Sequence, residues 1–207
     1  MTSPKTVVVT GFRPFPGVRE NPSALLVESL RGHPDWAHEA GVDLRTSLLD
    51  TVYSGLREQI EKLLAEVPTA LVLTGYSAIA SGLKIETRAT SLCSPAYADA
   101  SGWTPPPNLD PVRSSANGAI EFDRLLDALD FAGVPAGMSD DAGEYVCNHA
   151  YWHALDLIAQ RNLITRALFV HLPAIEEMRF PPPGTGAIAL ATMQRGLAVI
   201  LRELVSS

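Results

Sequence analysis

Short apolar runs that stop at a glycine or a polar residue alternate, along nearly the whole chain, with segments whose apolar side chains recur at helical spacing. Few architectures accommodate that order. Parallel neighbours need crossover connections, and a sheet built from such units has to bury both of its faces under helices. The expectation is an α/β fold: three layers, α/β/α, around a mostly parallel twisted sheet. No linker or internal repeat divides the chain, so residues 1–207 read as one domain. At this length roughly 70% of the unfolded surface can be buried, enough for a sizeable core.

The strand-like runs are Thr6-Val7-Val8-Val9-Thr10 before Gly11, Val42 to Leu49, Ala70 to Thr74 before Gly75, Ile85 to Leu92, and Arg166 to Val170 before His171. Val134 to Ser139 leads into the segment around Cys147. The first helix is expected after Asn21, a capping residue, with Pro22 at its first position. A second opens at Thr51 and aligns Leu56, Ile60, Leu63 and Leu64 on one face, with Glu58 and Lys62 spaced as an exposed pair. Phe122 to Leu129, ending near Gly133, then Tyr151 to Ile158, and Leu190 to Leu204 repeat the helical pattern. Ser94 to Asn108, rich in proline and small residues, reads as a long surface loop of the kind that carries function.

Composition excludes several roles. A net charge of −7, with no run of lysine or arginine, lacks the electrostatic footprint of a nucleic-acid binder. No segment approaches the ~20 apolar residues of a membrane span, and no apolar stretch of signal-peptide length precedes the first strand. A cytoplasmic location is expected. Two cysteines, Cys93 and Cys147, are too few for a disulfide framework or a thiolate metal site, so no metal and no cofactor are expected.

In open α/β sheets, ligands gather at the carboxyl ends of the strands, where Gly11-Phe12, Gly75-Tyr76 and His171 fall. Cys147 follows a polar, glycine-containing turn and enters a helix. Such an amino end is expected to acidify a thiol and to offer backbone amides to an oxyanion. The competing reading is a buried cysteine that packs as a small hydrophobe. As its base, His149 points to nearly the opposite face of the helix, and His153 lies about 9 Å along the axis at about 1.5 Å per residue. His33 and His38 sit in a polar connector, which leaves His171, with a structural histidine at a sheet edge as its alternative. Glu86 is the only carboxylate in the Ile85 to Leu92 run and is a candidate to orient that base. Glu144, Glu176 and Glu177 remain open on chemistry alone. Cys93 reads as a strand-end residue without a histidine to activate it.

These segments together resemble the pyrrolidone carboxyl peptidase family, also called pyroglutamyl peptidase type I. Thr10-Gly11-Phe12-Arg13-Pro14-Phe15-Pro16-Gly17, followed by Asn21-Pro22-Ser23, is similar to that family's Thr-Gly-Phe-x-Pro-Phe-Gly-Gly and Asn-Pro-Ser. Ala142-Gly143-Glu144-Tyr145-Val146-Cys147-Asn148-His149 resembles its Ala-Gly-Thr-Tyr-Val-Cys-Asn-His. Asp99, Gly102 and Pro105 keep the spacing of its Pro-Asp-Asn-x-Gly-x-x-Pro loop, and His171-Leu172-Pro173 resembles its His-Val-Pro.

The resemblance implies Cys147 as nucleophile, His171 as base and acid, and Glu86 as orienting carboxylate. It further implies Phe12 and Phe15 as a sandwich around an uncharged lactam ring, with Val146 and Tyr76 among the substrate-binding residues, and an assembly into dimers or tetramers. Three segments depart from the family pattern: Gly75-Tyr76-Ser77-Ala78-Ile79 stands for Gly-Gln-Ala-Gly-Gly, Glu86-Thr87-Arg88-Ala89-Thr90-Ser91 for Glu-Arg-Val-Ala-Ile-Asn with an arginine displaced by one position, and Ala96-Tyr97-Ala98-Asp99 for Arg-Ile-Pro-Asp. The leading expectation is thus a cysteine peptidase that removes N-terminal pyroglutamate from peptides through a thioester acyl-enzyme. The alternatives are a related amidase acting on another small amide or lactam, and a non-catalytic protein that binds pyroglutamyl termini.

Overall fold

The computed structural model describes residues 5–31, 42–107, 112–184 and 186–206. In chain order its elements begin with β1 (Lys5–Phe12), α1 (Pro22–Arg31), β2 (Val42–Leu49), α2 (Leu56–Leu64) and β3 (Ala70–Tyr76). Short pieces follow: β4 (Leu83–Glu86), β5 (Arg88–Thr90) and β6 (Ser114–Ala116). The chain continues through α3 (Phe122–Phe131), β7 (Ala136–Ser139), α4 (Val146–Gln160) and β8 (Arg166–Leu172), then β9 (Ala174–Ile175), β10 (Ala187–Ile188) and α5 (Leu190–Ser206).

Six strands form the main sheet in the order β2-β1-β3-β8-β4-β7. All neighbours are parallel except β8 and β4, which run antiparallel. Alternation along the buried strands sends successive residues to opposite layers. Val7, Val9 and Val72 face α1, α3 and α5, whereas Val8, Leu71 and Leu73 face α2 and α4. The expected three-layer α/β/α arrangement is therefore present.

The first strand-to-helix turn shows why the opening motif has its composition. Asn21 Oδ1 accepts the Ser23 backbone N–H at 3.1 Å and its hydroxyl at 2.9 Å, while Ser23 Oγ accepts the Phe12 N–H at 2.9 Å. The cap thus also ties the helix to the end of β1. A Cβ on Gly11 would lie 2.3 Å from the Ser23 carbonyl oxygen, so only glycine lets α1 approach this closely.

Two expected elements differ. The helix anticipated from Thr51 begins at Leu56, after Gly55 in a left-handed conformation (φ +73°). Thr51 is instead buried in the preceding turn, its hydroxyl donating to the Arg13 carbonyl at 3.1 Å. The continuous strand anticipated over Ile85 to Leu92 is broken at Thr87: β4 belongs to the main sheet, and β5 pairs with β6 in a separate ribbon. Thr87 donates its backbone N–H to Ser139 at 2.8 Å, ending the pairing with β7. His33, His38 and Asn108 lie outside the described residues.

Candidate active site

At the antiparallel boundary of the sheet, Lys84 is in register with His171 and Glu86 with Phe169. Glu86 and His171 are therefore diagonal neighbours on one face, close enough for side chains to meet. His171 Nδ1 lies 2.7 Å from Glu86 Oε1, and Lys84 Nζ lies 3.7 Å from the same oxygen. Glu86 is completely buried. Its backbone carbonyl accepts the Tyr151 hydroxyl at 3.1 Å, and Asn117 Nδ2 donates to that hydroxyl at 2.9 Å, so the strand is also held from α4. The other carboxylates left open by the sequence are elsewhere. Glu144, Glu176 and Glu177 are exposed, and Glu177 accepts the Leu190 N–H at the start of α5.

Cys147 is the second residue of α4. Gly75 is the register partner of His171, and a Cβ built on Gly75 would lie 2.8 Å from Cys147 Sγ and 2.9 Å from the Phe169 ring. The sulfur thus rests directly over the β3 glycine, on the face that carries His171 and Glu86. The capping residue before the helix is Tyr145, which is extended and whose side chain makes no capping hydrogen bond. The first backbone N–H groups of a helix have no intrahelical acceptor, so an oxyanion can take them. One expectation is corrected here. Burial, and after it the negative charge of Glu86, push the Cys147 thiol up to about 12, with the backbone N–H offsetting only part of this. The helix end does not win over desolvation in the free protein.

A cleft of about 550 Å³ beside the helix start is lined by Phe15, Pro16, Ala78, Tyr97, Asp99 and Tyr145, among others. Phe15 and Tyr145 on its wall are in contact with each other, their rings tilted by 51° and their centroids 6.5 Å apart. Phe12 and Val146 are buried in the apolar cluster against which Tyr145 and Cys147 pack. The Tyr76 hydroxyl donates to the Pro183 carbonyl, tying the end of β3 to the proline-rich segment before α5.

Asp99 organises the long loop. Its carboxylate accepts the backbone N–H groups of Tyr53, Ser101 and Trp103 and the Ser101 hydroxyl, at 2.6–3.2 Å. Burial opposes ionisation, yet these hydrogen bonds prevail and hold the carboxyl below its ordinary value. Gly102 adopts φ +85° inside this turn, which explains the Asp-x-x-Gly spacing.

Sequence reasoning missed Tyr145, Tyr97 and Asn148 as contributors. Asn148 grips β5 through both ends of its amide: Oδ1 accepts the Thr90 N–H at 2.9 Å, and Nδ2 donates to the Thr90 and Leu92 carbonyls, each at 2.9 Å. An asparagine on the apolar inner face of a helix was the available signal. Cys93 also differs from expectation, since its Sγ lies 3.2 Å from His149 Nδ1.

Residues 5–205 match the family model described as pyroglutamyl peptidase. The chain is 33% identical over 201 residues to the pyrrolidone-carboxylate peptidase of Thermococcus kodakarensis, covering 95% of this chain and 94% of that protein. It is 31% identical to pyrrolidone-carboxylate peptidase 1 of Ralstonia nicotianae, covering 95% and 91%. The crystal structure of Bacillus amyloliquefaciens pyroglutamyl peptidase I is similar with a TM-score of 0.84 at 25% identity, covering 98% of each chain. That of pyrrolidone carboxyl peptidase from Thermus thermophilus gives 0.80 at 26%, covering 95% of this chain and 99% of the other. A full-length match of sequence and of fold, around a cysteine seated beside a histidine–glutamate pair, places this chain in the pyroglutamyl peptidase family.

Proposed function

We propose that the protein hydrolyses the amide bond that follows an N-terminal pyroglutamyl residue in peptides, with Cys147 as nucleophile, His171 as base and acid, and Glu86 as the carboxylate that orients His171. The observation carrying this reading is the seat of Cys147 Sγ over Gly75, whose register partner His171 contacts the buried Glu86 at 2.7 Å. Because the resting thiol is protonated near neutral pH, His171 removes its proton as sulfur attacks the pyroglutamyl carbonyl. The tetrahedral oxyanion takes the unsatisfied N–H groups at the start of α4. His171 then protonates the departing amine, a thioester remains, and a water activated by His171 releases pyroglutamate and restores the thiol. Glu86 fixes the tautomer of His171 and stabilises the imidazolium.

Selectivity follows from charge. Pyroglutamate lacks the ammonium of an ordinary amino terminus, so a largely apolar slot suits it. Phe15 and Tyr145 line that slot, with Phe12 and Val146 in the apolar layer behind, and Tyr76, at the carboxyl end of β3, is assigned to substrate binding as well. Residues 1–207 act as one cysteine-peptidase domain in this reading. A homo-oligomer, dimer or tetramer, is part of it, supported by the exposed Ile79, Phe131 and Met138 around edge strand β7. A cytoplasmic location is supported by both cysteines being free.

Release of a fluorophore from a pyroglutamyl amide by the purified protein, compared with Cys147→Ala, tests the proposal. Activity is expected only in the parent, and equal rates in the two would defeat the assignment.

A further inference from the structure

On the side of α4 turned away from Cys147, hydrogen bonds run from a permanent cation to a thiol. Arg57 Nη1 lies 3.4 Å from His153 Nδ1, His153 Nε2 lies 2.9 Å from His149 Nε2, and His149 Nδ1 lies 3.2 Å from Cys93 Sγ. Burial pushes both imidazoles down to about 4, helped at His149 by His153 and at His153 by the charge of Arg57. Near neutral pH each ring is therefore uncharged and carries a single proton.

A guanidinium only donates. His153 must then accept on Nδ1 and keep its proton on Nε2, which donates to His149 Nε2. That leaves the proton of His149 on Nδ1, aimed at the Cys93 sulfur. Arg57 thus sets the direction of every link. Cys93 receives an N–H, and its own S–H hydrogen is free to turn away from the chain.

A cavity of about 870 Å³ lies there, lined by Cys93 and His149 together with Tyr53, Trp103 and the prolines from Pro105 to Pro107. The Tyr53 ring sits edge-on to both Trp103, at 5.7 Å, and His149, at 5.2 Å. A partly open cleft of this size, with aromatic and proline walls beside Ser54, Ser91, Asp99 and Ser101, suits a small aromatic group. It does not suit a metal ion, because the two nitrogens of His149 serve opposite neighbours. No group of three metal-ligating side chains occurs among the described residues.

We propose that Cys93 is a second thiol site that captures small aromatic disulfides, with the Arg57–His153–His149 chain steadying the attacking sulfur and the Tyr53–Trp103 cavity seating the transferred group. Burial pushes the Cys93 thiol up to about 11, so its proton passes to solvent in only a small fraction of molecules, and that thiolate, receiving the His149 N–H, attacks one sulfur of the disulfide. A new S–S bond forms as the old one breaks. The displaced thiolate takes up a proton and leaves as a thiol, so Cys93 is oxidised and half of the reagent reduced. No other oxidant is needed. The site does not depend on the assignment of Cys147.

Folded Cys147→Ala protein, in which Cys93 is the sole thiol, tests this with dithiodipyridine. The expected result is release of one equivalent of thiopyridone, with a matching mass increase on the peptide containing Cys93 and none when Cys93→Ser is added. His153→Leu leaves the Arg57–Asp156 ion pair in place but removes the donor that keeps the His149 proton on Nδ1, so that His149 can turn a lone pair toward the sulfur, and capture is expected to slow about tenfold. His153→Gln, which restores a donor, should recover most of that rate. Reaction of Cys93 only after denaturation would overturn the site. Unchanged capture in a folded His153→Leu protein would overturn the role of the chain.

Discussion

His171 Nδ1 and Glu86 Oε1 lie 2.7 Å apart across the antiparallel junction of β8 and β4, so the hydrogen-bond ladder itself sets their distance. Glu86→Gln keeps the shape but presents an amide that can hold the wrong imidazole tautomer. Turnover is expected to fall about a thousandfold or more, in line with the loss on amidating the carboxylate of a serine–histidine–aspartate triad. Pyroglutamyl amide hydrolysis measured alongside circular dichroism checks it, since the variant should fold normally.

The Cys147 thiol sits far above neutrality because of burial and the charge of Glu86. Below a value of about 12 the thiol is mostly protonated, so the thiolate share should rise about tenfold for each pH unit. In a Cys93→Ser background, the rate of alkylation by iodoacetamide is expected to climb from about pH 6 to about pH 10 without a plateau. A plateau near neutrality would mean that His171 already holds the proton in the resting protein.

Gly75→Ala places a methyl group within contact of both Cys147 Sγ and the Phe169 ring. The backbone on one side and a buried aromatic on the other leave the sulfur as the part that moves. Displacing a reacting atom by about 1 Å costs about a hundredfold in rate. Crowding in the core should also lower stability by about 1–3 kcal/mol. Kinetics with thermal melting separates the two effects.

Asp99→Ala removes four hydrogen bonds from the loop that borders the Phe15 cleft. A KM increase of about tenfold, with kcat affected less, is expected from the looser cleft. In the parent protein the carboxyl is held below its ordinary value, so its contribution to stability is complete above the ordinary carboxylate range. It is lost as pH falls through the lowered value. Trp103 fluorescence followed on acidification reports the release.

Tyr76→Phe removes the hydroxyl that fastens β3 to the Pro183 carbonyl. The link is one neutral hydrogen bond, worth about 1 kcal/mol. KM should therefore rise severalfold at most, with kcat preserved. A collapse of kcat would show that the tyrosine touches the reacting groups.

Much of this was legible in the sequence because buried parallel strands advertise themselves as apolar runs, and α1 carries its cap in Asn21 and Ser23. Cys147 and His171 could be paired by excluding their rivals, as helical geometry separates Cys147 from His149 and His153. The break at Thr87 could not be read. Residues 85–92 alternate in the same way whether they form one strand or two, and the bond from Thr87 to Ser139 that divides them comes from a strand fifty residues away. The start of α2 was misplaced because Thr51 has capping chemistry but gives its hydroxyl to Arg13. Tyr145 was passed over because a residue just before a helix shows no periodicity. The partnership of Cys93 with His149 depends on β5 leaving the main sheet to pack against α4, where Asn148 holds Thr90 and Leu92.

The antiparallel junction has a kinetic side as well. Strands inside a sheet exchange their amide protons only through large openings, whereas loops and helix ends open locally. Glu86 and His171 sit on adjacent inner strands, while Cys147 stands on the first turn of α4 beside the Asp99 loop. On warming, the surroundings of Cys147 should breathe first and the Glu86–His171 pair last. Heat inactivation would then begin as a reversible loss of alignment at the thiol, well before the sheet gives way.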